Sequence, residues 1–178
     1  MIKGFYHSYK IFTHLVNVIK YRAAELHIIG EGPESNKLKQ LVKKYRLSNF
    51  IKFIGQVPKH DIGTYYKDSN LFVSGSLSES MPAMYLEAMA ASLPMVIASN
   101  TTSLELERNN FGGTVFPQKN AISMADNIHL LLTNPDLYNS YSIRNYSLSK
   151  SKYNFKKQLN KLTDLLYSTV GLGKYENH

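Results

Sequence analysis

Residues 71–99, LFVSGSLSESMPAMYLEAMAASLPMVIAS, restrict the folds open to this chain more than any other stretch. Two nearly unbroken apolar runs, Leu71 to Ser74 and Pro94 to Ser99, read as strands buried on both faces, with a loop and a helix between them. Parallel strands need a long connection, so a strand, a helix and a second strand of this kind make a parallel crossover. Pro82 sets the start of the helix, because its ring holds a helical φ and its missing N–H is one that a first turn never uses. Glu79 then falls in the loop and Glu87 two turns inside the helix. The N–H groups of Ala83, Met84 and Tyr85 are expected to lack helical partners and to point, with the positive end of the helix dipole, beyond the first strand. The stretch predicts an anion site flanked by two acids.

The flanking pattern extends the same architecture. Ile11, Phe12, Leu15, Val16, Val18 and Ile19 recur at helical spacing and predict an amphipathic helix over Ser8 to Arg22. A short strand follows at Leu26 to Ile29, with a turn at Gly30-Glu31-Gly32-Pro33. A helix carrying Leu38, Leu41, Val42 and Tyr45 comes next, then a strand at Ile51 to Ile54 closed by Gly55, and a brief helix at Ile62 to Lys67. Beyond Ser99 the sequence predicts a helical turn near Glu105, a strand at Thr114 to Phe116 and a helix from Ala121 to Leu132, broken by Pro135. Helices near Leu137 to Ser149 and Phe155 to Tyr167 complete the pattern. Short apolar strands alternating with helices predict an α/β fold with a doubly wound parallel sheet, in which ligands bind beyond the carboxyl ends of the strands. Residues 1–168 form one domain in this reading, and 169–178 a frayed tail.

Composition removes whole classes of chemistry. Cysteine is absent, which excludes disulfides and thiolate sites. No apolar run approaches the roughly 20 residues of a membrane span, and the polar start MIKGFYHSYK is no secretory signal, so a cytoplasmic location is the default. No phosphate-loop, nucleophile-elbow or zinc-helix motif is present, and no Asp-x-Asp pair offers to hold a metal. His27, in a predicted strand, reads as a satisfied core residue. The excess of 21 basic over 13 acidic residues includes Lys150, Lys152, Lys156, Lys157 and Lys161. These lie on amphipathic helices without the motifs of nucleic-acid binding, so a solvated face is the first reading and contact with an anionic membrane the second.

Glu79 to Ala90, ESMPAMYLEAMA, resembles the E-x7-E motif of the retaining GT-B glycosyltransferases, the group known as family 4 or "glycosyl transferases group 1". Four further segments, in the order of that family, strengthen the resemblance. Lys3-Gly4 is similar to its K-G pair, Ile28 to Pro33 to its I-x-G-x-G-P turn, Phe53 to Val57 to its F-x-G-x-V strand end, and Pro94 to Ser99 to its P-V-I-A-S strand. The resemblance implies the C-terminal, donor-binding half of a GT-B fold and transfer of a sugar from a UDP- or GDP-sugar to a glycan or lipid-linked acceptor, without metal or other cofactor. It implies that Glu79 contacts the donor sugar and Glu87 the ribose. It further implies that Ala83 and Met84, beside Ser80 and Met81, hold the diphosphate together with Lys3, and that Gly30, Gln56 and Val57 border the base. A developing charge on the leaving diphosphate explains why fixed positive partners there would lower the barrier.

The sequence departs from the family pattern at three places. Pro82 stands where many members have glycine, Ser92 replaces the glycine of E-A-M-A-x-G-x-P, and Asn100 to Ser103 replaces a glycine-bearing turn, so that the last two are expected to reshape the pocket wall. The resemblance covers only the C-terminal half and starts after that half's first strand, a central one. Leu26 to Ile29 and Leu71 to Ser74 are therefore expected to keep unpaired edges, which Met1 to Gly4 are too short to fill. Two functions are compatible with this reading. The chain is a transferase donor domain, either a truncated gene product or one half of a split enzyme whose acceptor half is another chain, and inactive by itself. Alternatively it is a non-catalytic module binding a nucleotide-sugar or a partner.

Overall fold

The computed structural model describes residues 8–77 and 82–154, together with 157, 159, 160, 163 and 164. Lys3, Glu79, Ser80, Met81, Lys156, Lys161 and the tail 169–178 lie outside them. The elements follow the predicted order: α1 Ser8–Thr13, β1 Leu26–Ile29, α2 Ser35–Lys44, β2 Ile51–Gly55, α3 Ile62–Lys67, β3 Phe72–Ser74 and α4 Ala83–Ala90. They continue with β4 Met95–Ala98, α5 Thr101–Arg108, β5 Gly113–Phe116, α6 Ala121–Thr133 and α7 Pro135–Lys150.

Among the described residues all strand pairing is parallel, in two ladders. β1 pairs with β2, with Leu26 opposite Ile51. β3, β4 and β5 form the second ladder in that order, with Phe72 opposite Met95 and Met95 opposite Gly113. Among the described residues no strand joins β1 to β3, so the edges expected to lie open carry no ladder partner. What joins the two ladders is a shared apolar core. Ile28 and Ile51 belong to the same cluster as Val96 and Ala98 of β4, with Phe12 and Leu15 from the first helix and Met124, Ala125, Ile128 and Leu131 of α6.

The fully buried β4 carries the alternation that makes the fold doubly wound. Val96 and Ala98 face that cluster, while Met95 and Ile97, one residue out of phase, face Tyr85 and Met89 of α4, Leu106 of α5 and Phe111. Each fully buried side chain of this size contributes about 1.5–3 kcal/mol of transfer free energy, so β4 anchors both layers. Asn145 closes the far end of the sheet. From α7 its buried amide donates to the carbonyls of Leu93 and Gly112, at 2.7 Å each, and accepts from the Gly112 N–H at 2.7 Å. A Cβ on Gly112 would lie 1.9 Å from the Tyr141 carbonyl oxygen, so only glycine lets α7 approach this closely.

Several expectations change. The first helix does not run as an α-helix to Arg22. After Thr13 it widens into a π-turn over His14–Val18, closed by Ile19 N–H donating to the His14 carbonyl at 3.0 Å, and Lys20 turns the chain at φ 65. The change of pitch buries Leu15 and Val16 and leaves Val18 64% exposed, so Val18 is not part of the core face. The helical turn near Glu105 is a complete helix, α5, because Asn100 and Ser103 form a reciprocal capping box that satisfies its first amides. His27 is not a core residue. Its side chain is 40% exposed and pairs with Glu25, which also holds Lys52 at 2.8 Å. The Lys52 and His27 hydrogen bonds hold the Glu25 carboxyl below its ordinary range.

Ser92 occupies the turn that ends α4, at the opposite end of that helix from its first turn, and so cannot shape a pocket at the strands' carboxyl ends. Its N–H donates to the Met89 carbonyl and the Leu93 N–H to the Ala88 carbonyl, both at 3.0 Å, the paired bonds of a Schellman cap. Such a cap needs a left-handed residue, and Ser92 sits there at φ 63. Glycine would adopt this conformation without the clash of a Cβ against the following carbonyl. Ser92→Gly is expected to stabilise the protein by about 0.5–1 kcal/mol, offset in part by the entropy of the unfolded chain, and a lower melting temperature by calorimetry would contradict this.

Candidate functional site

The predicted site lies at the carboxyl ends of the parallel strands, where the sheet's topology places a ligand. α4 enters it with its first turn. Pro82 is the N-cap of this helix, not its first helical residue: its φ of −67° is helical but its ψ of 143° is extended. The Pro82 carbonyl therefore turns inward and accepts the Tyr85 N–H at 3.0 Å. Of the three amides expected to face a ligand, Tyr85 is thus withdrawn. Ala83 and Met84 remain in the turn that an α-helix leaves without internal partners.

Glu87 shares their face. It lies four residues after Ala83 and three after Met84, and helical Cβ atoms tilt toward the N-terminus, so its side chain leans back over that first turn. The positive end of the helix favours a carboxylate there. Its Oε2 accepts a hydrogen bond from the Tyr66 hydroxyl at 3.0 Å, across from α3. Burial, and then the charge and hydrogen bond of Glu87, push the Tyr66 phenol above its ordinary range, which keeps it a donor.

The wall beside this turn is tied down by residues that the motifs do not contain. Asn100 caps α5 with its side-chain oxygen and with its Nδ2 donates to the Ser76 carbonyl at 2.9 Å. Gln118, just beyond β5, donates through Nε2 to the Leu77 carbonyl at 3.0 Å and the Ser99 carbonyl at 2.7 Å. The loops after β3, β4 and β5 are thereby held to one another. Asn100 to Ser103, where the sequence departs from the family's turn, open a capped helix whose Asn100 side chain reaches the loop after β3. Beneath it Tyr85 donates to Ser74 Oγ at 3.0 Å, under an edge-to-face contact with Phe72 at 5.4 Å.

Gly30, Gln56 and Val57 are brought together at the ends of β1 and β2. The Gly30 N–H donates to the Gly55 carbonyl at 2.6 Å, with Gly30 at φ 102 and Gly55 at φ 80. Both conformations are left-handed, which explains the glycines of the two turns. Gln56 is exposed and Val57 half-buried. Lys3, Glu79, Ser80 and Met81 lie outside the described residues. Sequence reasoning missed Tyr66 and Gln118. It also missed the cap at Asn100, although an Asn followed three residues later by Ser is a signal that could have found it.

Parallel strands alternating with helices that cover both faces define a Rossmann-like half-domain. Residues 2–148 match the family described as glycosyl transferases group 1, and the chain belongs to that family. An uncharacterized glycosyltransferase of Haemophilus influenzae is 31% identical over 153 residues, 83% of this chain and 43% of the relative. The C-terminal domain of the glycosyl transferase LpcC from Francisella tularensis superposes with a TM-score of 0.71 at 25% identity, over 83% of this chain and 78% of that one. Anabaena HepE, crystallised with UDP, shares the fold with a TM-score of 0.76 at 17% identity, over 86% of this chain and 44% of its own. The chain spans less than half the length of the Haemophilus relative. Among the described residues no helix is long and apolar enough to cross a membrane.

Proposed function

We propose that this chain is the donor-binding half of a retaining transferase, taking a UDP- or GDP-sugar at the first turn of α4. The observation that carries the reading is the placement of Glu87. Its carboxylate accepts from the Tyr66 hydroxyl, which lies 3.5 Å from the Met84 carbonyl in the first turn of α4. The two amides supply the positive partners for a diphosphate, and the carboxylate accepts from the paired hydroxyls of a ribose. Lys3 and Glu79 complete the set by their match to the family's motifs, as diphosphate and donor-sugar contacts. Charge growing on the departing diphosphate is then met by fixed dipoles and one lysine, so no metal is required.

Sugar transfer needs an acceptor surface opposite this turn. In this reading it comes from a second domain or a separate chain, and the acceptor is a glycan or a lipid-linked sugar. The net charge of +8 supports work at an anionic membrane face. Calorimetric titration of the 178-residue chain with UDP-, GDP- and ADP-sugars tests the proposal. Binding of one of them, with no sugar transfer until an acceptor half is added, is the expected result. Absence of binding to all three sinks the reading.

A further inference from the structure

Tyr66 reaches Glu87 from a different element. Its hydroxyl lies 3.0 Å from Oε2, and 3.5 Å from the carbonyl of Met84 in the first turn of α4. A phenol has one proton, and the shorter, charged partner takes it. Glu87 Oε1 has no protein hydrogen bond among the described residues. The ring is itself fixed, tilted against Phe72 of β3 at 6.4 Å, and Phe72 stands edge-on to the buried Tyr85 at 5.4 Å. A chain of aromatic contacts thus runs from the sheet to one oxygen of the carboxylate.

We propose that Tyr66 is a positioning residue: by binding Oε2 it fixes the Glu87 carboxylate so that Oε1 is presented to the ribose hydroxyls of a nucleoside diphosphate. The inference rests on the reading of Glu87 as the ribose contact. An unrestrained glutamate would lose side-chain entropy on binding, and a carboxylate already locked in place loses less. Tyr66 also excludes competing partners from Oε2, leaving a single acceptor direction toward the ligand. A tyrosine that only fastens α3 to α4 would stabilise the fold without altering which nucleotide is preferred.

The test uses the full chain and four probes, UDP and GDP and their 2′,3′-dideoxy counterparts, titrated into wild type, Tyr66→Phe, Glu87→Gln and the double variant. Phenylalanine keeps the ring against Phe72, and melting curves establish that each variant is folded. Wild type is expected to prefer the ribose form by about tenfold, and Tyr66→Phe to reduce that preference to about threefold. In the Glu87→Gln background the Tyr66 change should leave the preference unaltered. A lowered melting temperature with an undiminished ribose preference in Tyr66→Phe would overturn the inference and leave the donor-site reading standing. A wild-type chain that does not distinguish ribose from dideoxyribose, or binds no probe, overturns both.

Discussion

Asn145→Ala is expected to lower the unfolding free energy by about 3–4 kcal/mol, and with it the melting temperature by roughly 10 °C. The side chain is fully buried and makes three hydrogen bonds of 2.7 Å, to the Leu93 carbonyl and to both backbone groups of Gly112. Truncation leaves the Leu93 carbonyl and the Gly112 N–H without their side-chain partner where water cannot easily reach, and opens a cavity beside α7. The Gly112 carbonyl keeps a bond from the Met95 N–H at 3.0 Å, which limits the loss. Asn145→Asp separates the hydrogen-bond argument from the volume argument. An ionised aspartate of nearly the same size cannot donate to two carbonyls and brings a buried charge, so it should cost at least as much as alanine at neutral pH. Burial raises an aspartate's folded pKa above its unfolded value, so that cost should shrink as the pH falls. Thermal or urea unfolding of the two variants at pH 7 and pH 5 decides the matter. An Asp variant as stable as wild type at neutral pH would contradict the account.

Glu87→Ala is expected to weaken binding of the cognate nucleoside diphosphate by about 10- to 100-fold, the range for losing hydrogen bonds to a charged group. The substitution should leave the fold nearly intact. Glu87 is only half-buried, alanine is the best helix former, and the core face of α4 is carried by Tyr85, Ala88 and Met89. Glu87→Gln keeps one acceptor oxygen and should fall between wild type and alanine. Isothermal titration with UDP and GDP measures the series. Equal affinity for wild type and Glu87→Ala would remove the carboxylate from the site and with it the main support for donor binding.

Most of the elements were legible because their residues declare a period. β4 reads as a buried strand from four apolar residues in a row, α2 and α6 read as helices from spacing alone, and the glycine turns after β1 and β2 require φ values that few other residues adopt. The helical character of Ser8 to Thr13 was legible too, but its widening after Thr13 was not, because a π-turn changes pitch without changing composition. α5 was underestimated since its stability comes from a two-residue capping exchange and not from an apolar stripe.

The candidate site divides in the same way. Sequence by itself determined the family motif, the crossover that carries it, and that Glu87 lies inside the helix, because these depend on neighbours in the chain; that Glu87 is one turn from Ala83, and not two turns in, follows from the helix starting only after Pro82. Tertiary structure alone decided that the Pro82 carbonyl takes the Tyr85 amide, that Ser92 lies at the far end of α4, and that Gln118 ties the loops together. It also decided that Tyr66, 21 residues before Glu87, holds its carboxylate. Contacts at that separation leave no period in the sequence: they arise only when the packing of helices on a sheet brings two side chains to one point.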